Sequence, residues 1–231
     1  MYTSIKALSL AALAGLAAAA PSGGAQVTVK NQCGSDLHVG QLTNGESQAN
    51  VQVISQGTQK NYDLPSDWQG RFWARSDCDG DACSAIAGAA APASLAEITF
   101  KGHAGYDYYD LSFVDGFNLP IKFYPVNGNK DSDDQYRCGA PACGTVPSCP
   151  EDEMKVYGSD GQVVGCKSAC SAYGTDEFCC AGAHNLPSTC SPNQYSKAVK
   201  DACPDAYSYA YDDTTSTYMC KADTYELVFC P

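Results

Sequence analysis

The run YDYYDLSFVDGFNLPIKFYP, Tyr106 to Pro125, reads as two strands joined by a turn. Tyr108 and Tyr109 lead into Asp110, Asp115-Gly116 is a turn signal, and Asn118-Leu-Pro precedes a second strand over Ile121 to Tyr124. Side chains alternate faces along a strand, so a spacing of five sends Asp110 and Asp115 to opposite sides of a straight one. Both reach one cleft only if the chain turns or bulges between them, and Asp115-Gly116 is the place for it. The alternative is a pair of solvated surface carboxylates, as most Asp residues are.

Outward from this run, short strands and turns dominate. Val27 and Val29 alternate with polar neighbours, Leu37 to Val39 follow, Asn44-Gly45 signals a hairpin, and Val51, Val53 and Ser55 alternate again. In Gly70 to Ser76, Phe72 and Ala74 take one face, and Arg71, Trp73 and Arg75 the other. In Leu95 to Lys101, Glu97 and Thr99 share a face opposite Ala96, Ile98 and Phe100. Many short strands separated by turns predict a β-sandwich or barrel. After Cys203 the pattern returns, with Tyr207-Ser-Tyr-Ala-Tyr and then Thr224 to Cys230.

The chain has 231 residues and 14 cysteines, nine of them between Cys138 and Cys203. Apolar runs are few there, so disulfides are expected to replace a core. One helix starts at Ser191-Pro192, with Tyr195, Ala198, Val199 and Ala202 at helical spacing, and a shorter one is expected near Ser171 to Cys180. Residues 1–24 read as a secretory signal: Lys6, then an Ala-rich apolar run from Ala7 to Ala20, with cleavage expected between Ala19 and Gly24. Secretion suits seven disulfides. The three scattered histidines and the absence of paired C-x2-C motifs argue against zinc, and no metal or cofactor is expected. No stretch is long enough to span a membrane.

The formal charge is −12, and loss of Lys6 with the signal makes it −13. That disfavours nucleic acid or an anionic membrane as a partner. The G-x-S-x-G, P-loop, H-E-x-x-H and G-x-G-x-x-G motifs are all absent.

The runs GRFWARSDC (Gly70–Cys78), ASLAEITF (Ala93–Phe100), YYDLSFVDGFNLP (Tyr108–Pro120), DEFCCAGAH (Asp176–His184), CPDAYSYAYDD (Cys203–Asp213) and YELVFCP (Tyr225–Pro231) follow the order of thaumatin-like proteins, which the chain resembles over nearly its whole length. The resemblance implies a mainly β fold: a flattened antiparallel β-sandwich core (25–77, 95–137 and 204–231), a disulfide-rich lobe with short helices (138–203) and a reduced small disulfide loop (78–94). It also implies the bridges Cys33–Cys230, Cys78–Cys83, Cys138–Cys220, Cys143–Cys203, Cys149–Cys166, Cys170–Cys179 and Cys180–Cys190. Larger members have one more bridge, in the loop that is short and Ala/Gly-rich here from Asp79 to Pro92.

An acidic cleft is implied between core and lobe, formed by Arg71, Glu97, Asp110, Asp115 and Asp205. The family is associated with binding and hydrolysis of β-1,3-glucan and with antifungal action. On that basis Glu97 is expected as general acid and Asp115 as its ionised partner, because glycoside hydrolysis needs one protonated and one ionised carboxyl. Arg71, Asp110, Asp205, Tyr106 and Tyr109 are expected to hold the sugar. Phe113, Phe117, Tyr124 and Trp73 are further aromatic candidates, of which Phe113, Phe117 and Trp73 also fit a core. The expectation is a secreted, monomeric β-1,3-glucanase of the cell exterior or wall. The alternatives are a glucan-binding antifungal protein without turnover and an inhibitor of a foreign enzyme.

Overall fold

The computed structural model describes residues 24–76, 78–88, 90–128 and 133–231. The expected signal segment lies outside the described residues, apart from Gly24. The described strands are β1 (Ala25–Asn31), β2 (Leu37–Thr43), β3 (Asn50–Ile54), β4 (Gln59–Leu64), β5 (Gln69–Arg75), β6 (Leu95–Thr99) and β7 (Asp107–Ser112). They continue with β8 (Ile121–Pro125), β9 (Ala142–Cys143), β10 (Lys155–Tyr157), β11 (Val163–Cys166), β12 (Ala206–Tyr207), β13 (Tyr218–Cys220) and β14 (Thr224–Phe229).

Two sheets make a mainly β fold. One runs β4-β1-β14-β8-β9, and the other β12-β7-β6-β5-β2-β3 with β13 also beside β7. Alternation builds the layer between them. Val27 and Val29 of β1, Phe72 and Ala74 of β5, Ala96 and Ile98 of β6, and Tyr109 and Leu111 of β7 are all buried. The rings of Tyr109, Phe123 and Tyr225 meet at the centre, with centroids 5.1 to 5.7 Å apart. β1 and β14 pair in parallel, and the Cys33–Cys230 bridge joins the segments that follow these two strands.

The sequence shows no clear sign of β4. Gln59, Lys60 and Asn61 are exposed, and only Tyr62 and Leu64 reach the core, as an edge strand permits. The expected strand from Tyr207 to Tyr211 shrinks to Ala206–Tyr207, because Asp212 accepts from Ser208 N and Oγ and folds the chain into a turn. The long helix begins later than Ser191-Pro192. Its cap is Asn193, whose side chain accepts from Tyr195 N and Ser196 N, and the helix spans Gln194–Ala202. The helix expected near Ser171 is two short ones, Ala169–Tyr173 and Asp176–Cys179.

All seven disulfides join the pairs that the resemblance implies. Segment 138–203 is not wholly separate from the sandwich, since β9 within it pairs with β8. The short loop after Cys78 packs on the outer face of the larger sheet. Ala87 and Ala93 cover Trp73 there, together with Leu42 and Leu95. Buried Arg75 ties that loop down, donating to Ala85 O at 2.6 Å and Ala91 O at 2.7 Å. Trp73 is therefore core.

Candidate functional site

The outer face of the larger sheet carries a row of three polar side chains. Arg71 on β5 lies opposite Glu97 on β6, and Glu97 lies opposite Asp110 on β7. Direct cross-strand partners share a face, with Cβ atoms about 4.5–5.5 Å apart. The guanidinium and two carboxyl groups are thus set side by side by register alone.

Asp115 joins them from a turn. β7 ends at Ser112, and Gly116 N donates to Phe113 O at 3.0 Å. Gly116 has φ +109°, and a Cβ there would stand 2.2 Å from Cys166 O and 2.7 Å from Pro92 Cβ. Only glycine fits this left-handed position between the small loop and the lobe. The turn brings Asp115 back over the sheet to the row. Its Oδ2 lies 3.9 Å from where a Cβ on Gly88 of the small loop would be.

Arg71, Glu97, Asp110 and Asp115 line one open depression of about 350 Å³. Ser112, Tyr207, Leu95, Val114 and Ala210 complete its walls. A second hollow of about 150 Å³ continues from it past Val114, Asp115 and Ala210 to Phe178, Tyr195 and Tyr209 on the lobe side. Tyr173, Phe178 and Tyr195 pack there in one cluster, with ring centroids 5.6 to 5.7 Å apart.

Burial raises the Glu97 carboxyl above its usual range. The Arg71 charge opposes this, and Asp115 adds to it. Asp110 is raised well above the ordinary carboxylate value, first by burial and then by the charges of Glu97 and Asp213. Its Oδ1 is buried and has no hydrogen-bond partner. The row therefore holds protons that free carboxylates would release.

Other expected residues stand elsewhere. Asp205 does not line the depression. Its Oδ2 accepts from Ala142 N at 3.1 Å and its Oδ1 from Tyr218 Oη at 3.0 Å, so both oxygens tie the fold together. Tyr109 alternates with Asp110, which sends it inward; it is fully buried and donates to Gly139 O at 2.6 Å. It is a core residue and cannot touch a sugar. Tyr106 lies beyond the start of β7, its ring packed by Arg137 and Lys221. Tyr124 is on the other sheet, hydrogen-bonded to Glu226. Phe113 and Phe117 stack on each other and are almost wholly buried.

Tyr207 was not expected in the site. A two-residue parallel pairing with β7 puts it opposite Ser112, and its hydroxyl meets Asp213 Oδ1 at 3.0 Å and Thr217 Oγ1 at 2.5 Å. The alternating tyrosines of segment 207–211 were the available signal, but alternation does not say which one reaches the cleft.

Among the described residues, His38, Cys78 and Cys83 have the spacing of metal ligands. Both sulfurs are in a disulfide, which removes the thiolates a metal would need.

Fold and site together define a disulfide-stapled β-sandwich with a carboxylate-lined depression on one sheet face. Residues 31–231 match the Thaumatin family model, and the chain belongs to that family. It is 40% identical over 229 residues to thaumatin-like protein 1 of Pyrus pyrifolia, covering 90% of this chain and 91% of that one. It is 38% identical over 229 residues to a Prunus avium protein named glucan endo-1,3-beta-glucosidase, with 90% and 91% covered. The fold resembles that of a laminaripentaose-producing beta-1,3-glucanase solved with laminaritetraose, with a TM-score of 0.60 at 11% identity, covering 90% of this chain and 99% of that one.

Proposed function

We propose that the protein hydrolyses β-1,3-glucan in the depression over Arg71, Glu97, Asp110 and Asp115, outside the cell or in its wall. The observation that carries this reading is the cross-strand row with a raised Glu97 carboxyl at its middle and Asp115 beside it. Glycoside cleavage needs a carboxyl that still holds a proton when it meets the leaving oxygen. Glu97 fits that role, being half-buried and held above its usual range. Asp115 supplies the second carboxylate, as nucleophile or as base toward water. Arg71 steadies the cluster, and the Asp115 charge helps Glu97 keep its proton. The relative named as a glucanase supports the substrate class.

The test is reducing-sugar release from a linear β-1,3-glucan at mildly acidic pH by wild type, Glu97→Gln and Asp115→Asn, with glucan pull-down alongside. The reading expects each variant to bind while release falls about 10²- to 10⁴-fold. Equal binding by all three and no release by wild type would discard hydrolysis.

Asp110 and Ser112 in the wall of the depression favour a second reading, in which the site grips glucan hydroxyls without turnover. That reading expects wild type to bind without release, and Asp110→Ala to weaken the pull-down.

A further inference from the structure

Tyr106 marks a second charged site on the same sheet face, of opposite sign. It precedes β7 in extended conformation, with φ −90° and ψ 146°, so alternation puts it on the face of Tyr108 and Asp110. Asp110 is four positions further on, about 13 Å along a strand. The Arg137 guanidinium carbon sits 4.7 Å from its ring centroid, and the Lys221 ammonium 4.3 Å. The two cations are therefore no farther apart than those distances combined.

Among the described residues, neither cation has a carboxylate in an ion pair with it. The ion pairs among the described residues are Lys30–Glu226, Lys155–Asp152 and Lys200–Asp212. Arg137 Nε is buried and makes no hydrogen bond. Asp107, the adjacent acid, faces inward, with its oxygens taken by Lys101 N, Ala222 N and Tyr225 Oη. Asp133, Asp134 and Asp223 are near in sequence and exposed to solvent. The chain has only 14 Lys and Arg against 26 Asp and Glu. Two of its scarce cations thus converge on one ring, with no described carboxylate paired to either. A bound anion would offset their like charges and accept from the guanidinium and the ammonium.

We infer that Arg137 and Lys221, held over Tyr106, form a binding site for an anionic group on a polysaccharide, such as the carboxylate of a uronate. The anion site follows from the two cations. Its polysaccharide character rests on the reading of the neighbouring depression as a glucan site, in line with it along β7. One glycan chain lying along this face would set neutral units over Glu97 and Asp110 and an acidic unit at Tyr106.

The experiment is retention on immobilised polygalacturonate at low and high salt, with dextran beads as neutral control and phosphatidylserine vesicles as a second anionic surface. Wild type is expected to be held by polygalacturonate at low salt and released at high salt, although the whole chain carries the same sign as the polymer. Arg137→Gln/Lys221→Gln is expected to bind about tenfold more weakly or worse. Tyr106→Phe keeps the ring and is expected to bind as wild type does. Thermal midpoints of all variants establish that they fold. Failure of wild type to bind, equal retention of the double variant, or capture by vesicles and not by polygalacturonate would each overturn the proposal. Release of sugar from neutral β-1,3-glucan is measured on the same proteins. It is expected to be unchanged in the double variant, so loss of one reading leaves the other standing.

Discussion

Glu97 lies directly opposite Asp110 across β6 and β7, so that its charge raises the cost of ionising Asp110. Burial adds more to that cost, and the Asp110 Oδ1 is buried and unpartnered.

A pH-dependent stability follows. The native Asp110 carboxyl is held well above its ordinary value, first by burial. The unfolded chain gives up this proton near pH ~4. Between there and the native value, the native state binds more protons than the unfolded one. Stability must therefore fall as pH rises through that window. Asp110→Asn keeps the shape and removes the titration. Its advantage over wild type is expected to be near zero at low pH and to grow toward neutrality, by at most about 1.4 kcal/mol per pH unit. Denaturant unfolding at a series of pH values measures this, and a variant that loses ground as pH rises would contradict it.

Arg71 opposes the rise in Glu97 through its charge. Arg71→Gln takes that charge away, so the Glu97 carboxyl should rise further. If Glu97 gives the proton, the alkaline limb of the glucan-release profile moves to higher pH. A limb that stays put or moves down would remove Glu97 from that role.

Asp205 belongs to the frame. Both of its oxygens are engaged, by Ala142 N and by Tyr218 Oη. Asp205→Ala leaves those donors short of an acceptor and is expected to cost about 1–3 kcal/mol in unfolding free energy. Glucan release per folded molecule should be nearly unchanged. A large loss of release with normal stability would return Asp205 to the cleft.

Gly116→Ala tests the turn that carries Asp115. A methyl group would meet Cys166 O and Pro92 Cβ well inside contact distance, at a φ of +109°. The turn must move, and Asp115 with it. A lower thermal midpoint and a loss of glucan release larger than the loss of folded protein are expected. Normal release would mean that the placement of Asp115 is unimportant.

Facing and turns could be read from single strands, while the grouping of Arg71, Glu97, Asp110 and Asp115 in one cleft came only from the family resemblance. Alternation placed Glu97 opposite in facing to Ala96 and Ile98, and the odd spacing of Asp110 and Asp115 called for the turn found at Gly116. The same alternation rules out Tyr109, whose neighbour Asp110 takes the outer face, yet the local aromatic richness drew it into the site. Asp205 and Tyr207 were harder, since their surroundings depend on β9, β12 and β13. These strands are only two or three residues long, too short to leave a period in the sequence. Arg75 read as one more outward polar residue, because its carbonyl partners lie in a loop with no regular pattern.

The parallel pairing of β1 with β14 has a bearing on how the molecule is made. β14 comes last in chain order among the described strands, and it lies inside its sheet between β1 and β8. Until residues 224–229 arrive, β1 and β8 have no common neighbour and their sheet stands as two open edges. A growing chain can pair one edge of β1 with β4 early, but must hold the other edge open until residue 224 is made, as folds of high contact order do. A product lacking β14 would lack the piece that joins the halves of that sheet, and would expose both edges to other chains.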